Sequence, residues 1–303
     1  MHMIILSYIA IYLIWGSTYY FIAAAVETIP PSWVLAIRWS LGGLFFLFLS
    51  ILRRKKTSKT SIRNILSSIL IGFLLLIGGN GLVTIAEKNI DSYVAALMIS
   101  TVPLVVSLFN YIIYRIKISF LQLIGIVTGF MGVALLLYNG SNSPVEISTD
   151  VLLVFIGITS WALGTTIGSK MDVSENIFLN SSIQMLTAAV LSSIVALSTT
   201  ENIPTLLNTF SGKSIFALIY LIFFGSLAIG AFNYLMRNES SIRLTSYALV
   251  NPVIATLIGI LIGGEEIRKF LYAGLPLILI GLTIMLYGQR IKDYMRRRGN
   301  ERN

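Results

Sequence analysis

Ten stretches of this chain are each about twenty residues long, apolar and nearly free of charge: 4–25, 33–52, 65–86, 93–114, 120–138, 151–169, 177–198, 214–236, 244–263 and 270–288. A helix rises about 1.5 Å per residue and a bilayer core is about 30 Å thick, so each run is one helical crossing. The expected fold is therefore an all-α polytopic membrane protein with ten transmembrane helices. Composition agrees: 56% of the residues are hydrophobic and only 12% charged, against about a quarter charged in soluble domains. The first run has no preceding positive charge and no small-residue cleavage site, so it reads as a retained span rather than a signal peptide.

Orientation follows from Lys and Arg, which accumulate in cytoplasmic loops. With the amino terminus inside, only Lys88, Lys213, Arg268 and Lys269 of the 22 basic residues fall outside, and Arg38 stays in the membrane. Both termini are thus expected in the cytoplasm, the carboxyl end as a basic tail, 289–303. The net charge of +9 reports this topology and anionic lipid headgroups, so nucleic acid is not an expected partner. Ile-rich, Cys-free usage fits the plasma membrane of a prokaryote.

The chain also matches itself at an offset of 149 residues. Pro103 falls on Pro252, Gly125 on Gly274, Gly132 on Gly281 and Leu137–Tyr138 on Leu286–Tyr287; Trp15 meets Trp161 after a small gap. Two five-span repeats are implied, 4–138 and 151–288. Five is odd, so the second repeat enters the membrane upside down. Inverted repeats suit secondary transporters, because two similar packings exchange roles to open one site to each side in turn.

The stretch IYLIWGSTYYFIAAAVETIPPSWVLAIRWSLGG, the prolines of TVPL and VNPV, the LIGGEE end of span nine and the glycines of spans five and ten resemble the EamA-like branch of the drug/metabolite transporter superfamily. The resemblance covers both repeats. It implies a central cavity between two five-helix bundles and transport, commonly export, of amino acids or other small metabolites. One departure is that span four ends in YRIK, where the family often has a Gly-Glu pair like Gly264–Glu265.

Aromatic rings with polar tips and side-chain amides are the groups that could hold a small organic solute. Trp15 and Tyr19 lie on span one at helical spacing, Asn80 and Thr84 share a face of span three, and Trp161 and Thr165 share one on span six. In the opposite repeat Asn233 aligns with Thr84, and Tyr247 and Asn251 stand one turn apart before Pro252. The competing reading for each is packing or helix–helix hydrogen bonding. Asn180, Gln184 and Thr187 on span seven read as such a helix–helix stripe. Pro103 and Pro252 are expected to break their helices, freeing the carbonyls of Ile99 and Ala248.

Arg38 sits in the outer third of span two. Three roles are open to it: an ion-pair clamp at an outer gate with Glu27, contact with a solute carboxylate, or reaching back to the headgroups; the clamp is favoured. Glu87 and Glu265 join Glu27 as candidate gating acids. No HExxH, P-loop or Cys site exists and the only His is His2, so no metal, cofactor or catalytic cluster is expected. No acid sits at mid-membrane, so proton coupling through Glu27, Glu87 or Glu265 and facilitated exchange are equally open; the oligomer is a monomer or homodimer. The function that emerges is an alternating-access transporter of small organic metabolites. A multidrug or organic-cation substrate, or a lipid-linked sugar, is the runner-up, and a membrane-embedded enzyme is a weaker third.

Overall fold

The computed structural model describes residues 2–53, 60–116, 119–137, 148–200, 203–262, 264 and 271–300. Among them every regular element is helical. Eight stretches are long and apolar enough to cross a membrane, and two shorter apolar segments, Phe120–Gly132 and Tyr272–Met285, fill the fifth and tenth places. The first half contains α1 (His2–Val26), α2 (Pro31–Leu52), α3 (Ile62–Ala86), α4 (Ser92–Ile99 with Val102–Tyr114) and α5 (Phe120–Leu137). The second contains α6 (Thr149–Gly168), α7 (Ile177–Thr199), α8 (Gly212–Asn238), α9 (Ser241–Leu244 through Asn251–Leu261) and α10 (Leu271–Asn300). Polar caps set the entries: Ser61, Ser148, Asn176, Ser211 and Ser240 each accept a hydrogen bond from a backbone N–H of the first turn. α10 continues as helix into the basic tail, where a separate segment was expected.

Two pairs of corresponding helices, α2 with α7 and α5 with α10, pack closely against each other and run in opposite directions. Along α2 and α7, Trp33 Nε1 donates to Thr200 Oγ1 (2.8 Å), Ser182 Oγ to the Gly43 carbonyl (2.9 Å) and Asn176 Nδ2 to the Ser50 carbonyl (3.1 Å). Rising numbers on one helix meet falling numbers on the other. α5 and α10 do the same through glycines: Gly125 abuts Gly281 and Met285, and Gly132 abuts Gly274 and Ile278. Equivalent helices can be antiparallel neighbours only if one repeat is inverted relative to the other. α1 packs on α8 and α9, just as α6 packs on α3 and α4, which completes the approximate two-fold relation.

Two irregularities recur in both halves. α3 and α8 each contain a π-helical stretch, Phe73–Gly79 and Leu221–Gly225. α4 is interrupted at Ser100–Thr101 and α9 passes through a 3₁₀ stretch, Thr245–Leu249, before Val250. Pro103 and Pro252 lie in the first turn of the helical segment that restarts after each interruption. A first-turn proline loses no hydrogen bond, so each proline sits where the chain restarts after the interruption and not at its centre. At the first break, Ser100 Oγ and Thr101 Oγ1 donate to the Leu97 and Met98 carbonyls (2.6 and 2.7 Å) and so replace lost backbone donors.

Below, the hairpin face is the side carrying the α1–α2 turn, and the terminal face is the side where α1 begins. Glu265, Tyr138 and the charged residues at 54–59, 117, 146, 201, 266, 268 and 269 lie outside the described residues.

Candidate functional site

The irregular stretches converge on the middle of the bundle. There, α1, α2, α3, α4, α6, α8 and α9 line a partly open cavity of about 50 Å³. A single water needs roughly 10–15 Å³ by that measure, so in this conformation the space holds a few waters or one polar group, and a whole organic solute would need the wall to open further. Its wall is mostly apolar, from residues such as Ile22, Val83, Ile99 and Ile229. The polar groups on it are few: Arg38, Asn80, Thr18 and the tips of Tyr19, Trp161 and Tyr247.

An aromatic cluster packs around Trp15. Its ring centroid lies 5.4 Å from Trp161 and 5.0 Å from Tyr247, both edge-on, and 5.0 Å from Phe232. Trp15 and Trp161 occupy corresponding places in the two repeats, so the approximate two-fold axis passes close to their contact. Edge-to-face pairs of this kind add about 0.5–1.5 kcal/mol each beyond burial. The cluster fixes rings from four helices of both halves in one wall.

Arg38 is 1% exposed. Its guanidinium carbon lies 4.1 Å from the ring centroid of Trp39, and Nη1 donates to Asn80 Oδ1 at 3.3 Å. Nε has no hydrogen-bond partner. Two π stretches create this corner. The one in α3 ends immediately before Asn80, and the one in α8 ends at Gly225, where an added Cβ would stand 3.0 Å from Arg38 Nη2. Such π insertions are frequent at functional sites because they re-aim the residues that follow. Ser160 Oγ donates to the Leu74 carbonyl (2.7 Å) in the first of them.

The expected clamp between Arg38 and Glu27 is corrected here. Glu27 pairs with Lys213 at 2.7 Å on the hairpin face, with both side chains about half exposed (54% and 53%). Arg38 points into the bundle, so neither that pair nor contact with the headgroups describes it. The acid that reaches it electrostatically is Glu87, which is 3% exposed near the hairpin end of α3. Glu87 and Arg38 are the two buried charged side chains among the described residues.

Of the remaining expected site residues, Trp15, Tyr19, Asn80, Trp161 and Tyr247 line the cavity, while Thr84, Thr165, Asn233 and Asn251 are buried off its wall. Thr84 and Thr165 bond back to the Asn80 and Trp161 carbonyls (2.8 Å each). Asn251, with its amide turned to suit both partners, donates to the Tyr12 and Tyr247 carbonyls (3.1 and 3.3 Å) and ties the α9 break to α1. Asn233 Nδ2 donates to Ser181 Oγ and Gln184 Oε1 (2.9 Å each). Gln184 Nε2 and Ser68 Oγ both donate to Asn180 Oδ1 (3.3 and 2.8 Å). This network fills the bundle toward the terminal face; Asn180 and Gln184 of the α7 stripe serve helix–helix bonding, while Thr187 Oγ1 bonds back to the Ile183 carbonyl of its own helix (2.8 Å). Gly225 and Phe232 were not among the expected residues; a glycine and a phenylalanine in apolar spans carry no signal of their own. Among the described residues no cluster of His, Cys, Asp and Glu could hold a metal ion.

Comparison with known proteins places this geometry. The EamA-like transporter family matches the chain twice, at residues 2–138 and 149–287. YedA of Escherichia coli (strain K12), an uncharacterized inner membrane transporter, is 37% identical over 284 residues, which cover 92% of this chain and 89% of YedA. YyaM of Bacillus subtilis (strain 168), an uncharacterized transporter, is 24% identical over 92% of each chain. A solved crystal structure superposes with a TM-score of 0.68 over 94% of this chain and 97% of the other, at 17% identity, a likeness of fold.

Proposed function

The chain belongs to the EamA-like transporter family, and from that premise we propose that it is an alternating-access carrier of small organic metabolites, amino acids among them. The observation that carries this reading is the cavity lined by helices of both halves. Rings from both repeats meet there beside the breaks in α4 and α9. Broken helices around a site on the repeat interface are the arrangement that lets two packings alternate. Trp15, Trp161 and Tyr247 would hold the apolar part of a solute, with Tyr19 and Asn80 bonding its polar part. Pro103 and Pro252 would mark the flexing points.

The lysine and arginine distribution puts the terminal face, and both termini, in the cytoplasm of a prokaryotic cell. The hydrogen-bonded network then closes the cytoplasmic side in this conformation. Export is the direction proposed. A proton is the coupling ion proposed, with Glu87 as its carrier, because it is the buried acid among the described residues. The test is counterflow by purified protein in liposomes preloaded with a panel of amino acids and related solutes. Saturable exchange of at least one solute is expected, and its loss in a Trp15→Ala protein that still folds. A folded wild-type protein that exchanges nothing on a broad panel refutes the carrier reading. Glu87→Gln is expected to abolish the response to an imposed pH gradient while exchange persists.

A further inference from the structure

We propose that Arg38 is a carboxylate receptor in the central cavity, and that the solutes taken there carry one carboxylate joined to an apolar or aromatic body. The proposal rests on the central cavity being the solute site and names its chemistry.

A guanidinium presents five N–H donors in a rigid fork. Here one is spent on Asn80 at 3.3 Å, a long bond for a charged donor, and Nε has no partner although it is buried. An arginine serving only to brace helices would have its fork filled by a carboxylate or carbonyls, because buried N–H groups left unmade are costly. Trp39 covers one face of the group and Gly225 leaves room beside Nη2. Arg38 also lines the cavity. A carboxylate entering the cavity would meet a positioned donor whose remaining surroundings are apolar.

The other wall groups select the rest of the solute. Trp15, Trp161 and Tyr247 offer ring faces and edges. The field of Glu87 at Arg38 opposes a second negative charge, which favours a carboxylate over a phosphate monoester.

The experiment measures binding of four probes of one shape to the full chain in lipid nanodiscs, read by tryptophan fluorescence: 3-phenylpropanoate, its amide, the matching amine and phenyl phosphate. The carboxylate should bind roughly tenfold tighter than the amide, the ratio that one charge-assisted hydrogen bond supplies. It should also outbind the amine and the phosphate. Arg38→Gln should erase the preference over the amide. Should that variant not fold, Arg38→Lys decides: it keeps the charge but has no Nε–H, so carboxylate affinity should fall about fivefold or more. Equal affinity for carboxylate and amide in the wild type, no binding by any probe, or unchanged affinity in Arg38→Lys each overturns the proposal. Counterflow separates this from the transport reading. If the amide is exchanged as well as the carboxylate, the carrier stands and the anion role falls. If the carboxylate binds selectively yet nothing is exchanged, the receptor stands and the carrier falls.

Discussion

Two corners of the molecule are built to one plan and filled differently. The spacing that lays Trp15 on Trp161 also lays Arg38 of α2 on Gln184 of α7. Each side chain then bonds an asparagine on the next helix, Asn80 or Asn233. At Gln184 the amides are neutral and bonded on to Ser181, Asn180 and Ser68 at 2.8–3.3 Å, with Asn180 Nδ2 and Asn233 Oδ1 left unbonded, and the central cavity does not reach them. At Arg38 the charged group has one long bond, a partnerless Nε and a cavity beside it. Inversion places the first corner toward the terminal face and the second toward the hairpin face. The closed corner is a seal made of exchangeable hydrogen bonds; the open one is a charge left with capacity to spare. Near-symmetry supplies the two positions, and the residue chosen decides which of them is proposed to receive a solute.

Substitutions can break this contrast in graded steps. The largest effect is expected from Gln184→Arg, which would place a charge in the corner that has no cavity. Burial of an arginine in the membrane interior costs about 3 kcal/mol or more, so the purified protein should lose monodispersity and melt at a clearly lower temperature. A variant as stable as the parent would show the two corners to be interchangeable. Next comes Asn233→Leu, which leaves Gln184 Oε1 and Ser181 without their donor. Loosening the seal by about 1–3 kcal/mol shifts a two-state equilibrium some 5- to 150-fold. The chain contains no cysteine, so a single Met236→Cys on this side gives a clean readout. Its thiol should label faster from the terminal face in the Asn233→Leu background, and an unchanged rate would remove the network from gating.

Gly225→Ala is a smaller intervention. Its new Cβ would stand 3.0 Å from Arg38 Nη2, so the guanidinium must move by a few tenths of an ångström. Solute affinity should weaken three- to tenfold, about 0.7–1.4 kcal/mol, with the melting temperature little changed; full affinity would show that the position of the guanidinium is unimportant. The smallest effect belongs to Lys213→Met. The Lys213–Glu27 pair is half exposed, so its loss should cost under about 1 kcal/mol and vanish in high salt.

The sequence speaks clearly about spans and breaks and poorly about what lies beside what. Twenty-residue apolar runs, Pro103 and Pro252 are local signals, and the structure has helices and interruptions where they stand. The π stretches at Phe73–Gly79 and Leu221–Gly225 were not legible, since a one-residue insertion in a helix is set by packing rather than by any residue type. That blind spot hid the neighbourhood of Arg38, because Gly225 lies far away in the chain. Read alone, an arginine in the outer third of a span with Glu27 near by suggests an ion pair. Its burial depends on which way one turn of α2 faces. Thr84 and Asn251 illustrate the same limit: polarity at depth was legible, but not whether the group would turn to the cavity or to a carbonyl of its own or a neighbouring helix.

The glycine seam between α5 and α10 has a mechanical consequence. A methyl group at Gly281 would lie 2.5 Å from the Gly129 nitrogen, and one at Gly125 would lie 2.5 Å from the Gly281 oxygen. Backbones that touch in this way do not easily slip along each other by a fraction of a turn. Neither helix contributes to the cavity wall. In the proposed alternation the pair is therefore expected to act as a hinge pin, with the least displacement at α5 and α10 and the most at the helices farthest from them.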